Sequence, residues 1–406
     1  MINIAVMGYG TVGSGVVEVI NTNGARINQR IGDELNIKYV LDMKDFPGDP
    51  VQEKIVHDFE TIVSDEDVQI VVEVMGGIEP AYTFVKRCLQ AGKSVATSNK
   101  ALVAKHGAEL LSIAAEHDIN FLFEASVGGG IPIIRPLNSS LTADEIEEIT
   151  GILNGTTNYM LSKMFYEGAD YDTVLKEAQA NGYAERNPEA DVEGYDACRK
   201  IAILSSLISG QQVDFEDIYC EGITKITVED MRYAKAMGTT IKLLASSKTH
   251  AGRLGAMVAP CMLYPDHPLY NVNGVFNAIF VHGNVLGDAM FYGSGAGKLP
   301  TASAVVSDVV EAAKNLNRNV MTMWKEEKLR LEDKSSMKRR FFIRMKGNVE
   351  EKIEDIRYSF GDVEIVKVDG LDGEFGFVTP IMMEGDYDTR AKSYEDQILH
   401  MIRIED

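Results

Sequence analysis

Short apolar runs alternate with helix-period stripes through the first third of the chain. Residues 2–7, INIAVM, form one such run, and Ile37–Leu41, Ile70–Val74, Ser94–Thr97 and Asn120–Phe123 repeat it. Runs of this length, bounded by turn residues and lacking strict alternation, predict strands buried on both faces of a parallel sheet. Between them, Val12, Val16, Val17, Val19 and Ile20 make the buried stripe of a helix. Glu79-Pro80 opens a second helix that Gly92 ends, and a third runs from Ser98-Asn99-Lys100 to Ala115. The alternation predicts an α/β domain with a doubly wound sheet of six strands, five of which the pattern locates.

The rhythm then becomes mixed. Ile149–Leu153 reads as a strand, a helix begins near Glu193, and Ile203–Ser209 and Tyr233–Leu244 read as helical. Met257–Tyr264 and Ala278–Val281 read as strands, and Gly293-Ser-Gly-Ala-Gly297 leads into an apolar helix, Ala302–Ala312. The charged run from Trp324 to Lys338 has the character of a linker. After it come a strand (Phe341–Met345), a helix (Val349–Arg357), two strands (Val363–Val368, Phe375–Met382), a helix (Ser393–Leu399) and a last strand (Met401–Ile404). That order is the ferredoxin-like one. The expected division is a nucleotide-binding domain at 1–130 plus about 300–330, a substrate domain at 131–299, and a small domain at 338–406.

Composition narrows the function. With 406 residues, 45% hydrophobic and 25% charged, the chain is an ordinary globular one with room for two or three cores. A net charge of −21 argues against nucleic acid and anionic membrane surfaces, which need clustered Lys and Arg. Cys88, Cys198, Cys220 and Cys261 show no metal-ligand spacing, so reduced thiols in a cytoplasmic protein are expected. No signal peptide is recognised, and no apolar run reaches the roughly 18 residues of a membrane span.

Candidate chemistry sits at the ends of the strands. Gly8-Tyr9-Gly10-Thr11-Val12-Gly13 follows the first strand and opens a helix, the setting a dinucleotide fingerprint requires. Gly8 serves the tight turn, Gly10 the close approach to pyrophosphate and Gly13 the helix–strand packing of a Rossmann domain. Asp42 ends the second strand, where an acidic side chain holds the ribose hydroxyl of NAD; Lys38 and Lys44 lie nearby, so NADP stays open. Lys100 falls just past a strand's carboxyl end, where such sheets bind ligands. Glu124, followed by a glycine-rich run to Ile131, suits a hard-cation site of oxygen ligands or, equally, a hinge between domains. Asn154–Asn158 is a polar turn that can cap a helix or hold a substrate. Gly182–Lys200 packs Glu185, Glu189, Asp191, Glu193 and Asp196 beside Arg199 and Lys200. Asp196 and Lys200, at i,i+4, share one helix face, either as a reactive pair or as a surface ion pair. No cysteine stands in a nucleophile setting, which disfavours an acyl-enzyme aldehyde dehydrogenase.

GYGTVG at 8–13, GGIEPA at 76–81, SNKAL at 98–102, EASVGGGIPII at 124–134 and GILNGTTNYM at 151–160 also form an ordered set. YAERNPEADVEGYDACRK at 183–200 and GSGAGKLPTASAVVSD at 293–308 complete it. Together they resemble homoserine dehydrogenases, and the resemblance covers essentially the whole chain. It implies NAD- or NADP-dependent interconversion of L-homoserine and L-aspartate 4-semialdehyde, on the route to threonine, methionine and isoleucine. Implied substrate contacts are Thr156, Glu185, Asp191, Asp196 and Lys200; implied cofactor contacts are Gly10, Thr11, Val12, Gly76, Lys100 and Gly297. A monovalent cation, Na or K, is implied at Glu124, Val127, Gly129 and Ile131, mainly through carbonyls. The middle domain is implied to assemble a homodimer or homotetramer, and the tail to be an ACT-type domain. Leu41 stands before Asp42 where many members carry Arg, which weakens the case for NADP. Lys346-Gly347-Asn348 replaces the effector turn of ACT domains, so no threonine control is expected. Lys200 is expected to move the alcohol proton, with Lys100 lowering its pKa and Asp196 orienting the pair. The reading from another class is a non-catalytic NAD(P)-sensing regulator.

Overall fold

A computed structural model describes residues 1–405. Its early elements are β1 (Ile2–Met7), α1 (Thr11–Ile31), β2 (Leu35–Leu41), β3 (Ile55–Val56), α2 (Glu60–Val63), β4 (Val68–Glu73), α3 (Ala81–Gln90), β5 (Ser94–Thr97), α4 (Lys100–Glu116) and β6 (Phe121–Leu122). There follow β7 (Ile146–Ile152), α5 (Gly155–Glu167), α6 (Tyr171–Ala180), α7 (Glu189–Val192), α8 (Tyr195–Ser209), β8 (Gln211–Gln212), β9 (Tyr219–Cys220) and α9 (Val228–Ala236). Next are β10 (Thr240–His250), β11 (Arg253–Leu263), β12 (Phe276–Gly283), β13 (Gly287–Ser294), α10 (Lys298–Lys314) and β14 (Lys325–Lys328). The last are β15 (Lys338–Lys346), α11 (Val349–Phe360), β16 (Glu364–Val366), β17 (Glu374–Val378), β18 (Met382–Met383), α12 (Glu384–Ala391) and β19 (Ile398–Glu405). The described residues form two compact units, one of residues 1–145, 202–215 and 291–329, the other of 146–201, 216–290 and 330–405.

In the first unit six parallel strands lie in the order β3-β2-β1-β4-β5-β6, that of a doubly wound nucleotide-binding sheet. The strand the pattern does not locate is β3, whose two residues are too few to carry a periodicity. Ile4, Val6, Ile70 and Val72 pack with Val16 and Ile20 of α1 and Val305 and Val309 of α10 in one core. Helix α10, which follows the glycine-rich turn at 293–297, thus packs into this core. Gly15 permits the close helix pair: a Cβ there would lie 2.9 Å from the Lys298 carbonyl oxygen. The run from Trp324 is not all linker. Trp324 is buried over Gly107 and donates from Nε1 to Gln212 Oε1 at 3.0 Å, and β14 pairs with β8. Aromatic burial and a backbone ladder outweigh the solvating tendency of the charges around them.

The second unit is built on a mixed sheet ordered β13-β12-β7-β10-β11-β19-β15-β17-β16. Its centre corrects the helix expected over Tyr233–Leu244. Helix α9 stops at Ala236, Gly238 adopts φ 69°, and β10 starts at Thr240. Because β10 is paired on both edges and its first eight residues are buried, its apolar positions lose the alternation that distinguishes strand from helix. The carboxyl-terminal strands order β19-β15-β17-β16 with antiparallel neighbours, the ferredoxin-like arrangement. The helix expected at Ser393–Leu399 lies earlier, at Glu384–Ala391, and Ile398–Glu405 is one continuous strand. The strand expected at Met401–Ile404 is thus longer than its pattern indicates, and within it Arg403 is 1% exposed, neutralised by Glu384 and Glu221. No helix among the described residues is long and apolar enough to cross a membrane.

Candidate functional site

The glycine loop meets the requirements of a dinucleotide. Gly8 adopts φ +99°, and a Cβ at Gly13 would collide with the Gly8 carbonyl oxygen, so only glycine lets α1 start this close to β1. Nothing lies within 4 Å of a Cβ built on Gly10, and α1 has no side-chain cap and no acidic residue in its first turn. Its first amides, from Thr11 and Val12 onward, thus suit an anionic pyrophosphate. Asp42 is half-buried at the end of β2, where Oδ2 accepts from Tyr9 N–H at 2.8 Å and Oδ1 from Lys44 N–H at 3.0 Å. The carboxylate and the loop are therefore held as one piece.

A second network shapes the turn after β4, and the sequence pattern missed it. Glu73 is fully buried, accepts from Met75 N–H at 2.8 Å through Oε1, and from the Thr97 hydroxyl at 2.6 Å through Oε2. Burial pushes the Glu73 carboxyl above the usual carboxylate range. Asn99 donates from Nδ2 to the Gly77 carbonyl at 2.5 Å and caps α4 by accepting from Leu102 N–H at 3.1 Å. Gly76, at φ +79°, faces open space. The only available signal was a lone carboxylate ending an otherwise apolar strand. Lys100 is the first residue of α4 and half-buried. A cation is opposed there by the helix dipole by about 0.3–1 kcal/mol, so helix stability does not account for it.

The acidic stretch and the polar turn converge within the second unit. Lys200 donates from Nζ to Asp196 Oδ2 at 2.6 Å and to the Leu153 carbonyl at 2.7 Å, and both side chains are buried. Asn154 joins the cluster from the end of β7, its Nδ2 donating to Asp191 Oδ1 at 2.7 Å and to Asp196 Oδ2 at 2.9 Å. Its Oδ1 caps α5 through Thr157 N–H at 2.9 Å. Asn154 was legible as a cap but not as the bridge between two carboxylates. Thr156 lies buried on the first turn of α5 and donates from Oγ1 to the Tyr183 carbonyl at 2.5 Å. Glu185 is not drawn into the cluster; it is exposed on the loop before α7.

In the loop after β6, Glu124 turns inward. Its Oε1 accepts from Ile133 N–H at 2.6 Å and Ile134 N–H at 2.9 Å, and its Oε2 from Arg135 N–H at 2.7 Å. Asp308 of α10 accepts from Glu124 N–H at 2.8 Å and from Arg135 Nη2 at 2.5 Å, and burial pushes its pKa up to about 7. The Glu124 carboxylate thus organises the loop, leaving carbonyls such as those of Val127, Gly129 and Ile131 as the oxygens a hard cation would use. Among the described residues no three His, Cys, Asp or Glu side chains group as metal ligands. Gly297, at φ +119°, begins α10 without a side-chain cap.

Residues 8–124 match the NAD-binding domain of homoserine dehydrogenase and residues 132–310 match the homoserine dehydrogenase family. A homoserine dehydrogenase from Synechocystis is 48% identical over 314 residues, 76% of this chain and 72% of that protein. The crystal structure of one from Thiobacillus denitrificans superposes with a TM-score of 0.93 at 34% identity, covering 100% of this chain and 98% of that one. A hyperthermophilic archaeal homoserine dehydrogenase in complex with NADPH gives 0.64 at 30% identity, covering 77% of this chain and 97% of that one.

Proposed function

The chain belongs to the homoserine dehydrogenase family, and from that premise we propose how its residues divide the work. The enzyme is an NAD(P)-dependent oxidoreductase acting on a CH–OH group, interconverting L-homoserine and L-aspartate 4-semialdehyde. Bound NAD(P) supplies or accepts the hydride. Gly8, Gly10, Thr11, Val12 and Gly13 receive the pyrophosphate, Asp42 the ribose, and Gly76, Lys100 and Gly297 complete the contacts. Homoserine presents an ammonium, a carboxylate and an alcohol. Asp191 and Glu185 receive the ammonium, while Thr156 and Asp196 position the remainder. Lys200 takes the alcohol proton in oxidation and returns it in reduction, a role suited to an amine held beside the substrate.

The observation that carries this reading is the buried arrangement of Lys200 on Asp196 and the Leu153 carbonyl, tied through Asn154 to Asp191. A surface ion pair would need none of that burial. Asp42 with Leu41 before it supports NAD at a rate comparable to or better than NADP. Na or K is held by carbonyls around Val127, Gly129 and Ile131, with Glu124 contributing mainly through its own carbonyl. Exposed Val285, Leu286 and Met290 at the β12–β13 hairpin support assembly as a homodimer or homotetramer. The test is homoserine-dependent reduction of NAD or NADP, followed spectroscopically, in the wild type and in Lys200→Ala. Cofactor binding without turnover in the wild type would favour the regulator instead.

A further inference from the structure

We propose that Cys198 and Cys220 form an oxidisable dithiol whose closure to a disulfide switches the enzyme off. Cys220 ends the two-residue strand β9, which pairs with β11, and it donates from Sγ to the Glu193 carbonyl at 3.2 Å. Its sulfur lies 3.1 Å from a Cβ built on Gly194, so it rests directly on the turn that launches α8. Cys198 sits one helical turn along, its N–H bonded to the Gly194 carbonyl at 2.9 Å. The two thiols are hydrogen-bonded to each other.

The pair is asymmetric in the way a redox site requires. Cys220 is half-buried and lines a cavity of about 370 Å³ with Tyr195, Glu221 and Lys225. Cys198 is buried. The hydrogen bond from Cys198 holds the Cys220 thiol below its usual range and the Cys198 thiol above it. An accessible, more acidic thiol beside a buried partner is the pattern of an attacking and a resolving cysteine. Cys88 and Cys261, both buried and both pushed up to about 12, have neither property.

With hydrogen peroxide as the oxidant, the Cys220 thiolate attacks one peroxide oxygen, the O–O bond breaks, and the released hydroxide leaves as water after taking a proton. Cys220 is then a sulfenic acid. The Cys198 sulfur attacks it, the S–O bond breaks, and the hydroxyl departs with the Cys198 proton as a second water. Two thiols have lost two electrons to the peroxide. A disulfide needs a sulfur–sulfur distance of about 2.05 Å, shorter than any thiol hydrogen bond, so closure draws the first turn of α8 towards β9. Cys198 stands midway between Asp196 and Lys200 on that turn. A displacement of about 1 Å in catalytic groups costs on the order of 10²-fold in rate. The loss of activity rests on the role proposed for Lys200; formation of the disulfide does not.

Full-length enzyme is treated with one equivalent of hydrogen peroxide, digested without reductant and analysed by mass spectrometry, with homoserine oxidation assayed in parallel. The expected result is a peptide linked through Cys198 and Cys220, a fall in kcat of about 10- to 100-fold, and recovery with dithiothreitol. Cys220→Ser, or Cys220→Ala if the serine variant does not fold, should keep its activity in peroxide. Cys198→Ser should stop at a Cys220 sulfenic acid that dimedone traps. Absence of the linked peptide, or equal peroxide sensitivity in the Cys220 variants, overturns the site; a linked peptide with unchanged kcat overturns the switch.

Discussion

Lys200 and Asp196 stand one helical turn apart on α8, with Nζ 2.6 Å from Oδ2 and both side chains buried. The pair is completed from β7, where the Leu153 carbonyl meets the ammonium and Asn154 meets the carboxylate. Replacing Lys200 by Ala should lower kcat by about 10²–10⁴-fold and leave cofactor affinity nearly intact. Added primary amines should restore part of the rate. Lys100→Ala should weaken cofactor binding as well as turnover. Near-normal kcat in Lys200→Ala, with amine rescue confined to Lys100→Ala, would exchange the two roles.

Asn154 serves three groups at once. Asn154→Ala removes the cap of α5, worth about 1 kcal/mol, and the bridge between Asp191 and Asp196. The variant should show a raised KM for homoserine, a lower kcat and a modest fall in Tm, whereas Asn154→Asp should keep the cap and place a third carboxylate in the cluster. Equal KM in Asn154→Ala and the wild type would show that the bridge has no part in substrate binding.

Asp42 is fixed by Tyr9 and Lys44 amides against the glycine loop, so an incoming 2′-phosphate would face a carboxylate that cannot turn aside. Steady-state kinetics should give NAD a kcat/KM comparable to or better than that of NADP. Asp42→Ala should shift the ratio towards NADP. A hundredfold preference of the wild type for NADP would be incompatible with this role.

The tail is joined to the large sheet by β19, which pairs with β11 from Cys261↔Arg403 to Leu263↔Glu405. Arg403 is buried against Glu384 at 2.6 Å and Glu221 at 2.6 Å. Arg403→Met would leave the fully buried Glu384 carboxylate with Lys334, at 3.1 Å, as its remaining hydrogen-bonded cation and should cost at most about 3–5 kcal/mol, read as a fall in denaturation midpoint. Truncation after about Lys334 should likewise destabilise the second unit by uncovering β11. Threonine should have no effect on the intact enzyme; inhibition at millimolar threonine would show that the turn at Lys346-Gly347-Asn348 does bind an effector.

Lys242 on β10 is 1% exposed, with Nζ donating to the Val272 carbonyl at 2.6 Å and Asn273 Oδ1 at 2.8 Å. Burial pushes its pKa from 10.5 down to about 7. The unfolded chain therefore holds the proton more tightly across that window, and the contribution of Lys242 is present above pH 10.5 and lost as pH falls through about 7. Relative to Lys242→Met, the wild type should gain stability between pH 7 and 9.5, by at most about 1.4 kcal/mol per pH unit. Parallel denaturation curves with a pH-independent difference would contradict a neutral buried amine.

What the sequence determined by itself was whatever local order encodes. The glycine fingerprint, the apolar runs of β1, β4 and β5, and the i,i+4 placement of Asp196 and Lys200 are all fixed by spacing along one segment. The tertiary structure decided the rest. β10 lost its strand signature because two-sided pairing and burial erase alternation. Glu73, Asn99 and Asn154 act through partners more than twenty residues away, as Thr97, Gly77 and Asp191 show. Cys198 and Cys220 are adjacent only because β9 pairs with β11 beneath the start of α8. Hydrogen bonds between distant segments, and the burial that makes them strong, leave no period in the chain for a sequence to display.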